Sequence, residues 1–139
     1  MIHLRHTCAE IARVLIGLTL VFSGGLKAVD PIGSALKIGE YLAPVLDERW
    51  AYSATVALGL SFLLCAAEFL LGAFLLMGIY RQVSARLTFV FLLGMTLITT
   101  YILIANPISD CGCFGDALHL TNLETFLKNL FLLPLSFLI

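Results

Sequence analysis

Charge is scarce in this sequence. It has 8 Lys+Arg and 9 Asp+Glu among 139 residues, 12% in all, where a soluble domain carries about a quarter. That shortage excludes a water-soluble enzyme of ordinary surface, a disordered chain and a nucleic-acid binder, each of which needs more charge to meet water or phosphate. Cysteine is scarce too: four residues do not make a disulfide framework. The three histidines, His3, His6 and His119, have no ligand spacing. A net charge of −1 points to no class of partner. What the chain has is apolar surface, with 60% hydrophobic residues and a mean hydropathy of +1.03. These values describe a small polytopic membrane protein whose residues 1–139 form a single domain.

Four apolar segments stand out, at about 11–29, 51–80, 87–105 and 122–139. The first has an uncharged centre, Val14 to Leu26, bracketed by Arg13 and Lys27. That centre is short of the roughly 20 residues a span needs, so both flanking cations are expected to snorkel. The N-terminus has the outline of a signal peptide, but no small-x-small cleavage site precedes Lys27, and Gly24-Gly25 suits helix packing. A retained helix is the better reading. The second segment holds one charge, Glu68, and the third holds none. The fourth is short and has no terminal charge or aromatic cap. It is either a compact last helix or the point from which a longer chain continues. Together the segments predict an all-α fold, an antiparallel four-transmembrane-helix bundle, with Gly17, Gly24, Gly25, Gly59, Gly72 and Gly94 allowing close approach. Between segments 1 and 2, Ser34 to Leu42 mixes apolar residues with Lys37 and Glu40. It reads as a short interfacial helix on the outer leaflet.

Basic residues set the orientation. Arg5 and Arg13 precede or open segment 1, and Arg81 and Arg86 join segments 2 and 3 without an acid. The other two links are acidic, through Asp30, Glu40, Asp47 and Glu48, and through Asp110, Asp116 and Glu124. Both termini are therefore expected in the cytoplasm and both acidic links outside. Trp50, Tyr52 and Tyr80 mark the borders of segment 2, as interfacial aromatics do.

The second acidic link reads Asn106-Pro-Ile-Ser-Asp110-Cys111-Gly112-Cys113-Phe-Gly-Asp116. Asn-Pro stops segment 3, and Thr121-Asn-Leu-Glu124 forms a capping box for segment 4. Cys111 and Cys113 lie within disulfide reach, and Gly112 lets the backbone bend between them. So small a ring is strained, which makes its disulfide easier to reduce, and it closes too short a loop to act mainly as a staple. On the outer side disulfides persist. Three chemistries stay open: thiol–disulfide exchange, a soft-metal site with His119 or an acid nearby, and two inert thiols. Asp110 and Asp116 disfavour a thiolate, an effect that Lys128 would offset if the loop folds over it.

Glu68 is the informative group within the apolar segments. A carboxylate near the midplane must be neutral, paired or hydrated. By helical rise Thr99, Thr100 and Tyr101 lie at a similar depth, with Lys27 somewhat nearer the outside. Glu68 is expected to face these groups inside the bundle. It would relay protons, bind a polar headgroup, or fix helix register. Cys65, three residues earlier, shares its face. Cys65 is either a small hydrophobe or an exchange partner for Cys111 and Cys113. Cys8 is expected on the cytoplasmic side as a reduced thiol.

The run Arg13-Val-Leu-Ile-Gly17-Leu-Thr-Leu-Val-Phe22-Ser23-Gly24-Gly25-Leu-Lys27 resembles the first helix of DoxX-like membrane proteins. Glu68-Phe-Leu-Leu-Gly72 with Arg81 resembles their second. Asp110-Cys-Gly-Cys-Phe-Gly-Asp116 with Lys128-Asn129 is similar to the MauE branch, associated with methylamine utilisation. The resemblance implies a four-helix bacterial inner-membrane protein that supports disulfide formation or maturation of exported partners, with Cys111 and Cys113 as the exchanging pair. It also implies that related chains continue into a thioredoxin-like domain. The bundle resembles vitamin K epoxide reductase-like thiol oxidases as well, which would imply a quinone as electron acceptor. The chain lacks a Cys-x-x-Cys of the kind those enzymes carry.

Overall fold

A computed structural model describes residues 2–44, 46–51, 53–105 and 121–139. They form six helices: α1 (Ile2–Val29), α2 (Pro31–Leu42), α3 (Glu48–Ala51), α4 (Ala54–Met77), α5 (Arg81–Ala105) and α6 (Asn122–Phe137). Three stretches are long and apolar enough to cross a membrane: His6–Val29, Ala54–Met77 and Arg81–Ala105. At 16 residues α6 is about 24 Å long, short of a hydrocarbon core of about 30 Å.

Two helices start earlier than the hydrophobic pattern predicts. The first begins at Ile2 rather than about residue 11, and α5 at Arg81 rather than 87. Apolarity marks where a helix enters lipid, not where its hydrogen bonds begin. Glu10 pairs with Arg13 one turn away (2.7 Å) and with Arg81 across the bundle, so charge at this end is compensated and helix continues through it. The expected segment 51–80 is instead α4 over 54–77, preceded by the single turn of α3. The last helix stops at Phe137 rather than 139.

Gly78 ends α4 in the left-handed conformation, φ 70°. The Gly78 N–H donates to the Leu75 carbonyl and the Ile79 N–H to that of Phe74, the Schellman pattern. Three residues then suffice to reverse the chain into α5. The predicted capping box at α6 is present: Thr121 Oγ1 accepts from the Glu124 N–H, and the Glu124 carboxylate accepts from the Thr121 N–H.

Ile16 and Leu20 of α1, Leu75 of α4, Leu92 of α5 and Leu132 of α6 meet in one buried cluster. Sequential neighbours run antiparallel, with Glu10 level with Arg81, Thr99 with Asn129, and Phe89 against Phe137. The outward faces stay apolar: Phe62, Leu63, Leu97 and Phe131 are each more than half exposed. A monomer in water does not present such a surface; a helix in lipid does.

The two main seams are built differently. Between α1 and α4 the backbones nearly touch. A Cβ on Gly24 would lie 2.8 Å from the Phe69 nitrogen, and one on Gly72 2.7 Å from the Val21 nitrogen. Of the other expected packing glycines, Gly17 joins this seam, whereas Gly25, Gly59 and Gly94 have nothing within 4 Å. Those three lie off the faces that meet a neighbour. Between α5 and α6 small polar groups, Thr88, Thr96, Thr99, Thr125, Asn129 and Ser136, are buried alongside Leu92 and Leu132. Thr96 and Thr99 satisfy their hydroxyls on carbonyls one turn back, and Asn129 Nδ2 donates to Thr99 Oγ1 (3.4 Å).

The helix after α1 is present but begins at Pro31, set by the Asp30 carboxylate accepting from the Gly33 N–H (2.9 Å). It does not simply lie on a leaflet. Ser34, Ala35 and Gly39 are buried, and Ser61 Oγ donates to the Pro31 carbonyl (3.2 Å). It packs on α4 because α1 has already ended at that level.

Gly72→Val is expected to cost about 1–3 kcal/mol of stability through overpacking, while Gly25→Ala leaves it unchanged or raises it slightly. Thermal unfolding in detergent, followed by helical circular dichroism, checks both.

Candidate functional site

Ser23 and Lys27 lie one turn apart near the end of α1, and Glu68 lies near the centre of α4. The glycine seam brings them together. Lys27 Nζ donates to Glu68 Oε2 (2.7 Å), Glu68 Oε1 (2.8 Å) and Ser23 Oγ (3.1 Å), and Ser23 Oγ donates to Glu68 Oε2 (2.8 Å). Lys27 and Glu68 are each 3% exposed and Ser23 is 2% exposed. Lys27 therefore does not snorkel as expected. A carboxylate within reach inside the bundle compensates the ammonium better than a climb to the interface. Both carboxylate oxygens are engaged, so the cluster is electrically closed.

The other residues expected around Glu68 do not bond to it. Thr99 is buried but bonds to the Met95 and Thr96 carbonyls and to Asn129. Thr100 bonds to the Thr96 carbonyl (2.7 Å), and Tyr101 is largely exposed. Thr99 and Tyr101 nonetheless line the same apolar groove as Lys27, so they share its neighbourhood without a direct bond to Glu68 among the described residues. Cys65 does share the seam with Glu68: its thiol donates to the Gly24 carbonyl (3.1 Å). Cys8 is exposed near the opposite end of the seam. Lys128 is half-buried on α6. Cys111, Gly112 and Cys113 lie outside the described residues. Among the described residues no group of three or more His, Cys, Asp or Glu is placed to hold a metal.

The composition gave no sign of Ser23, which reads as one more small residue in an apolar run. Its spacing of four from Lys27 was the available signal, because it puts both on one face.

Residues 5–139 match the family described as methylamine utilisation protein MauE. The chain belongs to the MauE family. No curated protein and no solved structure matches it. With its three membrane-length apolar helices, this MauE-family chain is a multi-pass membrane protein.

Beside the ion pair, α2, α4 and α5 enclose a groove of about 710 Å³, on whose wall Lys27 lies. The Lys27 ammonium thus sits between a closed polar cluster and an apolar space.

Lys27→Met or Glu68→Gln alone leaves an uncompensated buried group and is expected to cost about 3–5 kcal/mol. The double variant Lys27→Met/Glu68→Leu is expected to cost clearly less than the sum. A double-mutant cycle on unfolding in detergent reads the difference.

Proposed function

We propose that this protein carries out thiol–disulfide exchange with exported proteins through Cys111 and Cys113, on the extracytoplasmic side of a bacterial inner membrane. One observation carries the reading. The α5–α6 pair is antiparallel and in contact, so a short link would join its ends. Three residues do that job between α4 and α5, yet sixteen, 106 to 121, separate α5 from α6. The bundle does not require that length, and chain beyond what a connection needs is a common place for function. The surplus contains both cysteines of the Cys-Gly-Cys unit.

Orientation supports the same reading. Arg13, Arg81 and Glu10 gather at one end of the bundle, while Ala105 and Thr121, which flank the cysteine link, stand at the other. By the positive-inside rule the arginine end, with both termini, is cytoplasmic. In this reading all four long helices cross the membrane, α6 with help from its flanks.

The exchange balances as follows. A substrate thiolate attacks the Cys111–Cys113 disulfide and forms a mixed disulfide, and a second substrate thiol resolves it. The substrate loses two electrons and gains a disulfide, and the Cys pair takes up those electrons and two protons as a dithiol. A quinone or the disulfide of a thioredoxin-like partner would reoxidise it. The Ser23–Lys27–Glu68 cluster serves the bundle and takes no part in these steps.

In a Cys8→Ser/Cys65→Ala background, alkylation of intact cells followed by mass spectrometry is expected to find Cys111 and Cys113 blocked until reductant is added. An impermeant maleimide should then label them without lysis. Two free thiols under oxidising conditions, or labelling only after lysis, would remove the proposal. Full complementation by Cys111→Ser/Cys113→Ser would leave a role in holding a partner complex. Bound soft metal lost in that variant would leave a metal site instead.

A further inference from the structure

The outer half of the α5–α6 seam buries polar side chains that the protein itself does not satisfy. Along α6, Asn122, Thr125 and Asn129 share the buried face at helical spacing. Thr125 is 0% exposed, and among the described residues its Oγ1 has no hydrogen-bond partner. Other threonines of the seam behave differently. Thr96 and Thr99 donate to carbonyls one turn back on their own helix. The carbonyl one turn back from Thr125 is that of Thr121, which accepts the Thr125 N–H (3.1 Å) but not the hydroxyl.

Asn129, one turn further on, is 2% exposed. An amide side chain has two N–H donors and a carbonyl acceptor. Among the described residues that of Asn129 makes the long donation to Thr99 Oγ1 (3.4 Å), which leaves an N–H and the carbonyl oxygen unused. Two under-used polar groups therefore lie one turn apart on one buried face. Each costs free energy while it lacks a partner, and lipid outside the bundle supplies none. A water molecule serves both, because it donates and accepts at once, and buried waters make about three hydrogen bonds to such groups. Asn122, on the other side of Thr125, brings a second amide to the same face. Entry is short, since Asn122 opens α6 next to the exposed Thr121. Thr88 Oγ1 is unpartnered too, but the polar group one turn back from it, Ser84, is already bonded to the Ile79 carbonyl.

We propose that a water molecule is built into this seam, bridging Thr125 Oγ1 and the Asn129 amide, with the Asn122 amide as its third partner. Through it the first two turns of α6, which follow the Cys-Gly-Cys link, are tied to one another and, by way of Asn129, to Thr99 of α5. The site stands whether or not that link exchanges disulfides.

Water-edited solid-state NMR of the full chain in phospholipid vesicles tests this. Magnetisation from water is expected to reach the Thr125 Cβ and the Asn129 side-chain amide about threefold faster than the buried core residues Ile16 and Leu75. Thr125→Val keeps the shape of the side chain and removes the hydroxyl. It is expected to slow transfer to the Asn129 amide to the core rate, and to shift the unfolding equilibrium in detergent about tenfold toward the unfolded state. Thr125→Ser should keep the fast transfer. Transfer to Thr125 and Asn129 no faster than to the core would overturn the proposal, because the hydroxyl would then be bonded within its own helix or left dry. So would a Thr125→Val variant at least as stable as the unaltered protein. If the valine variant does not fold, the transfer rates in the unaltered protein and in Thr125→Ser decide by themselves.

Discussion

A buried ion pair sets the terms for the rest of this structure. Lys27 and Glu68 meet at 2.7 Å with almost no exposure. Either charge alone would be strongly unfavourable among apolar helices. Their meeting therefore demands a particular register between α1 and α4, and that register demands small residues where the backbones approach. Gly24 and Gly72 satisfy it, one beside the Phe69 nitrogen and the other beside that of Val21. The pair specifies the alignment, and the glycines permit it. Neither is sufficient, because glycines without the pair could slide, and the pair without glycines could not close.

The same register decides what happens on either side. Because α1 ends at Val29, just past Lys27, the beginning of α4 would lack a neighbour. Asp30 and Pro31 turn the chain at once, and α2 takes up that position against Ser61. At the opposite end α1 runs on to Ile2, where Glu10 engages Arg13 and Arg81. Around the bundle, one seam relies on backbone proximity and a charge pair, and the other on threonine, serine and asparagine. The polar seam is the looser specification. Side-chain hydroxyls bonded to their own helix contribute little across the interface, and Asn129 to Thr99 is a long contact.

Much of this organisation was legible in the residues. Helix type followed from apolar runs, and the start of α6 from Thr121 and Glu124, because a capping box is a local device with fixed spacing. The burial of Glu68 followed from cost alone. The residues that face it did not, apart from Lys27. Depth along a helix is one-dimensional arithmetic, whereas azimuth depends on which helices are neighbours. Thr99 and Tyr101 share a groove lining with Lys27, while Thr100 bonds within its own helix. Helix starts at Ile2 and Arg81 were hidden for a related reason: polar residues that form helix well carry no apolar signal. The glycines divided in the same way. Gly17, Gly24 and Gly72 lie on the seam and Gly25 does not, although adjacent positions look alike in sequence.

The seam also bears on where thiol chemistry can reside. Cys65 has its thiol bonded to the Gly24 carbonyl, in the stretch where α1 and α4 approach closely. That thiol is partly buried, and its hydrogen bond would have to break before the sulfur could exchange. Glu68 lies three residues on along the same helix face, so displacing Cys65 would disturb the surroundings of the ion pair. Redox turnover at Cys65 would thus work against the interaction that aligns the bundle. A pair on a link longer than the fold needs meets no such conflict. Under the proposed function the bundle would keep its alignment while the chemistry is carried on the link, which is why the link rather than the seam is the proposed place of exchange.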